Sequence, residues 1–140
     1  MNNIKGSKLI KIASVLLIIT AIISIPILCF LIRELNPYHL TRRSLDFIEL
    51  YGALAALVYQ VPIVITGICG LILHDETSKY RILLGFGITT LILAVLISMA
   101  LVNHAYMLSF TIIILIAYIK GAFDNRATLL ENDRSPTQDH

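Results

Sequence analysis

His74, Asp75 and Glu76 stand in a row within GICGLILHDETSKYRILLGFG (67–87), between two apolar runs. A histidine beside two carboxylates has the chemistry of a metal site or an acid–base pair. A metal needs three or four ligands converging on one point, held by further hydrogen bonds. Consecutive residues on a helix point in different directions. The remaining histidines lie far off in sequence, and His39 and His104 fall on the opposite side of a bilayer in the threading derived below, about 30 Å away. On the near side only the terminal segment, ending in His140, is available. The trio reads as a water-exposed turn, and no metal or other cofactor is expected.

Three further groups could do chemistry. His39, His104, Asp46 and Glu49 share the far side and could converge on a cation; as the stretch YHLTRRSLDFIEL they read better as an interfacial amphipathic entry to a helix, charges towards water or headgroups. Cys29 and Cys69 are expected near opposite ends of different helices, too far apart for the roughly 7 Å between Cα atoms that a disulfide tolerates. They read as buried free thiols. The deepest polar position is Gln60, beside Tyr59 and two residues before Pro62. Polar groups at that depth are costly and often functional, so Tyr59 and Gln60 form the candidate intramembrane polar site. The competing expectation is structural: Gln60 hydrogen-bonds across to a neighbouring helix, with Thr20, Ser24 and Ser98 as partners. Pro26 and Pro62 are expected to kink their helices, each removing a backbone donor.

The elements that must position these residues are membrane helices. Of the 140 residues 57% are hydrophobic and only 14% charged, against about a quarter charged in soluble domains. Four apolar runs, about 9–32, 47–73, 82–102 and 105–119, are Leu- and Ile-rich without strict alternation. In lipid such runs must satisfy their backbone internally, hence as helices. The first run is too long for a signal-peptide core and no small-x-small cleavage pattern closes it, so it counts as a span. The expected fold is an all-α membrane protein: a four-helix transmembrane bundle over 1–120, then a polar cytoplasmic tail over 121–140 that begins as a short helical extension. Asn36-Pro37 breaks the chain after the first helix, Ser44 and Asp46 suit the start of the second, and Asn103-His104 makes a tight turn. The net charge of +2 gives no reason to expect nucleic acid.

Lys5, Lys8, Lys11, Lys79, Arg81, Lys120, Arg126 and Arg134 fall on one side, Arg33, Arg42 and Arg43 on the other. The positive-inside rule then puts both termini in the cytoplasm. Tyr38, Tyr51 and Tyr106 would line the outer interface, Tyr80 and Tyr118 the inner one. Small residues four apart, at Thr20/Ser24, Gly52/Ala56, Gly85/Thr89, Ala94/Ser98 and Ala117/Gly121, favour close helix packing, within one chain or in a homo-oligomer.

Three stretches, KLIKIASVLLIITAIISI, VPIVITGICGLIL and IIILIAYIKGAFDNR, resemble a diffuse group of small four-pass membrane proteins of Gram-positive bacteria. The likeness covers about half the chain and includes the ending Tyr118-Ile119-Lys120-Gly121-Ala122. The segment 33–47 is longer and more charged than in that group. The resemblance implies four spans in a bacterial cytoplasmic membrane and carries over no functional residue.

Three functions compete. A non-enzymatic accessory protein, with the bilayer and another membrane protein as partners, needs only packing faces and a polar tail. A small oligomeric transporter or channel would place Gln60 on its path; the acid that drug exporters of this size carry in helix one is lacking between Lys11 and Arg33. An integral-membrane enzyme has only a faint echo of a cofactor-binding cluster in Arg42, Arg43, Asp46 and Glu49. The accessory role is the leading expectation.

Overall fold

A computed structural model describes residues 5–34, 44–101 and 105–134. It contains four long helices: α1 (Lys5–Glu34), α2 (Ser44–Leu73), α3 (Tyr80–Ala100) and α4 (Tyr106–Arg134), with one short 3-10 turn, Thr77–Lys79, between α2 and α3. Among the described residues there is no strand. At 1.5 Å per residue the helices are about 30–45 Å long, enough to cross a hydrocarbon layer of about 30 Å. All four are apolar enough to do so. The chain is a multi-pass membrane protein built as a four-helix bundle.

Three spans start and stop within a few residues of the apolar runs; α4 starts with its run but does not stop with it. It continues as helix to Arg134, well past the apolar limit at 119. The composition changes there but helix propensity does not. AFDNRATLLENDR is rich in Ala, Leu, Glu and Arg, and no proline intervenes before Pro136. Gly121, Ala122 and Asn125 are buried, so the start of the expected tail belongs to the bundle.

The helices alternate in direction. The start of α1, the 74–79 turn and the end of α4 therefore share one face, called the turn end; the end of α1, the start of α2, the end of α3 and the start of α4 mark the loop end. Each of α1 and α3 packs mainly on α2 and α4, so the four run round the bundle in chain order and α4 closes on α1. Core positions recur at three- and four-residue steps: Ile10, Ala13, Leu17 and Ala21 on α1; Leu83, Gly87, Thr90 and Ala94 on α3; Leu108, Thr111, Leu115, Tyr118, Ala122 and Asn125 on α4. That stripe is narrow, as in coiled-coil packing. The other faces carry Ile22, Phe30, Val58, Ile72, Met99 and Ile113, exposed apolar side chains suited to acyl chains.

Two glycines set the spacing at the turn end. A Cβ on Gly6 would overlap Asn125 Oδ1 and the Gly121 carbonyl, and one on Gly70 would overlap Ser14 Oγ and the Tyr118 ring. Any larger residue there pushes two helices apart. Of the small pairs, Gly52, Ala56, Ala94 and Gly121 face neighbouring helices, whereas Gly85 and Thr89 face outward.

Candidate intramembrane polar site

Gln60 sits midway along α2, where the helix phase that buries Ala53, Ala56 and Ile63 also turns it inward; it is 4% exposed. Its Nε2 donates to the Ala56 carbonyl at 2.8 Å, one turn back on the same helix. That contact fixes which amide atom is nitrogen, because an oxygen there would repel the carbonyl. Gln60 Oε1 accepts no hydrogen bond from the protein. The cross-helix bond expected of Gln60 is therefore not made. Thr20 donates to the Leu16 carbonyl at 2.7 Å and Ser98 to the Val95 carbonyl at 2.8 Å, each within its own helix. A carbonyl one turn away is reached without moving a helix, and it wins.

Tyr59 supplies the link instead. Its hydroxyl donates to the Thr90 carbonyl of α3 at 2.6 Å, and the hydroxyls of Thr66 and Thr90 lie 2.7 Å apart. The candidate pair thus divides: Tyr59 ties α2 to α3, while Gln60 is left with free acceptor capacity. Pro26 and Pro62 both lie inside unbroken helices.

Gln60 forms part of the wall of a cavity of about 290 Å³, with Ser24, Ile27, Leu28, Leu101, Tyr106 and Leu108. The cavity runs from mid-membrane towards the loop end. Leu17, Ile63 and Leu115, farther towards the turn end on α1, α2 and α4, are buried. Gln60 also borders a second groove of about 320 Å³, between Ile25 of α1 and Leu57, Val61, Val64 and Ile65 of α2. Among the described residues that line either space, none carries a charge.

At the turn end, His74 and Asp75 make the turn after α2. The ring nitrogens of His74 face the Leu71 carbonyl at 2.7 Å and Asp75 Oδ2 at 3.2 Å. Ser7 Oγ donates to Asp75 Oδ1 at 2.7 Å, Asn125 Nδ2 donates to the His74 carbonyl at 3.2 Å, and Lys79 pairs with Glu76 at 2.8 Å. The turn is a clasp across α1, α2 and α4. Among the described residues no three of His, Cys, Asp and Glu gather where they could hold a metal. Cys29, exposed, and Cys69, half-buried, are both free thiols; Cys29 does not have the burial expected of it.

Two placements correct the sequence reading. Tyr118 is fully buried, not an interfacial tyrosine, because α4 runs on and leaves it mid-helix in the core stripe. Tyr51 and Tyr106 do face outward. Glu49 is 6% exposed, turned into the bundle and engaged there, not facing water or headgroups. His39, Arg42, Arg43 and His104 lie outside the described residues, as do the side chains of Ser44 and Asp46. Sequence reasoning missed Thr66, Thr90, Ser14 and Asn125 as interior polar residues. Their signal is phase: Thr90 falls between Leu83 and Ala94 at core spacing, and Asn125 lies seven residues after Tyr118.

Compared with protein-family models, curated proteins and solved structures, the chain matches none.

Proposed function

We propose that this multi-pass membrane protein is a non-enzymatic accessory component of a bacterial cytoplasmic membrane, with both termini in the cytoplasm. Its partner is another membrane protein that docks a transmembrane helix against the α2–α3 seam. The observation that carries this is the groove of about 420 Å³ along that seam, bordered by Ile48, Tyr51, Gly52, Ala55, Leu96, Ile97 and Ala100. Gly52 brings α2 and α3 close: a Cβ there would sit 3.1 Å from the Ala100 carbonyl. Small residues in its floor with large apolar ones at its rim match the ridge of a helix, and van der Waals fit of this kind drives helix association in lipid. The lysine and arginine asymmetry supports the orientation, and the resemblance to small four-pass proteins of Gram-positive bacteria supports the membrane.

The test is gentle purification from the native membrane, comparing the unaltered chain with Ala55→Phe. Ala55 is exposed, so the phenylalanine fills the groove without entering the core. A stoichiometric membrane protein that co-purifies and is lost with Ala55→Phe supports the proposal. A clean homo-oligomer, unchanged by the substitution, overturns it. That result favours the alternative of an oligomeric transporter or channel with Gln60 on its path, for which the central cavity is the supporting feature.

A further inference from the structure

Gln60 presents a specific imbalance. One amide hydrogen is held by the Ala56 carbonyl, and the carboxamide oxygen, buried at mid-membrane, accepts nothing from the protein. Leaving such an acceptor unmade in a medium without water is costly. The residue nevertheless borders a cavity of about 290 Å³, roughly ten water volumes and near the lower end of ligand pockets. We propose that the cavity beside Gln60 binds a neutral, lipid-phase molecule through a hydroxyl group.

Each part of that description has its own warrant. The occupant must donate, because the unclaimed atom is an acceptor. A hydroxyl both donates and accepts, so it satisfies Gln60 Oε1 and can also meet the amide's second N–H or the Ser24 hydroxyl in the same wall. The terminal torsion of a glutamine is soft, so the amide can turn its oxygen to the incoming group, exchanging its bond to the Ala56 carbonyl for one to the hydroxyl. A carbonyl compound would leave the oxygen orphaned. An ammonium or carboxylate would meet no countercharge among the described lining residues and would lose its hydration at that depth. The rest of the wall (Ile27, Leu28, Leu101 and Leu108) suits hydrocarbon. The lipid phase is the source because Gln60 also borders the outward groove between Ile25 and Val61, open along the bundle's side.

The experiment uses the full chain in lipid nanodiscs, photolabelled with a diazirine-bearing octanol and, separately, with the matching octane that lacks the hydroxyl. Peptides containing 24–28 and 101–108 are quantified by mass spectrometry. The expected result is saturable labelling of both peptides by the alcohol, with half-saturation about fivefold lower than for the hydrocarbon, the worth of one hydrogen bond. Gln60→Met keeps the volume and removes the acceptor; it should abolish the preference. Ser24→Phe should abolish labelling by both probes. Equal labelling by alcohol and hydrocarbon in the unaltered chain overturns the proposal, as does a preference that survives Gln60→Met. So does the absence of saturable labelling, which would mean that solvent fills the space. Should Gln60→Met fail to fold, the two-probe comparison in the unaltered chain still decides.

Discussion

At the turn end, a Cβ added to Gly6 or Gly70 would overlap a neighbouring helix, and Ser7 of α1 and Asn125 of α4 are tied to the turn after α2 through the Asp75 carboxylate and the His74 carbonyl. At the loop end, Ser24, Gln60 and Tyr106 border an open cavity, and Gln60 spends its donor on its own helix. The same bundle is thus tied together by side chains at one end, while at the other α2 and α3 still meet at Gly52 and Ala100 and a cavity opens beside Gln60. The contrast separates two uses of polar side chains in lipid. Bonds between helices fix their spacing, and bonds within a helix leave a polar atom available to something else.

The largest effect that bears on this contrast is expected from Gly6→Val. Its branches meet backbone atoms of α4, Gly121 O and Asn125 N, which cannot move without shifting the helix. A loss of about 3 kcal/mol in unfolding free energy follows, at the upper end of ordinary overpacking. Gly52→Ala, nearer the loop end and 3.1 Å from Ala100, should cost under about 1 kcal/mol. Denaturant titration in mild detergent gives both numbers, and similar costs at the two sites would erase the distinction between the ends.

Next comes Tyr59→Phe. Removing its bond to the Thr90 carbonyl should cost about 0.6 kcal/mol, the average for cross-helix hydrogen bonds in membranes, and at most about 1.7 kcal/mol. Gln60→Met should change stability by less than about 0.5 kcal/mol in either direction, since it removes an orphaned acceptor and a bond to a carbonyl one turn back on its own helix. A cost from Gln60→Met equal to that of Tyr59→Phe would make Gln60 structural. The smallest effect is expected from His74→Ala: its carbonyl, which receives Asn125, is retained, so any cellular phenotype should persist at normal expression. A cysteine-accessibility scan over 75–79 should label from the cytoplasmic side, and labelling from outside would invert the proposed orientation.

Run length alone located α1, α2 and α3, because about 20 apolar residues have one way to satisfy their backbone in lipid. The end of α4 was not legible that way. Beyond Lys120 the hydropathy falls, yet the residues remain good helix formers, and the packing of Gly121 and Asn125 against Gly6 decides the outcome. The misplacement of Tyr118 follows from the same boundary: at the end of a helix a tyrosine belongs to the interface, and mid-helix its phase puts it in the core. Gln60 was found by depth. Its bonding was not, because sequence shows which partners exist and not which carbonyl lies nearest. The cavity left no sequence mark at all, since it depends on how four helices diverge.

The crossing of Gly6 against Gly121 has a consequence in time. α1 and α4 lie apart in sequence but are direct neighbours, so the face of α1 that meets α4 stays uncovered until α4 has been made. At translation rates of about 5–20 residues per second, α1 spends roughly 5–20 s in the bilayer between the end of its own synthesis and that of α4, with that face unmatched. During that interval Ile10, Leu17 and the small residues between them are open to lipid or to whatever attends insertion. A chain truncated before α4 would keep the α4-facing side of α1 exposed, which makes the arrival of α4 the step that separates a closed bundle from a substrate for membrane quality control.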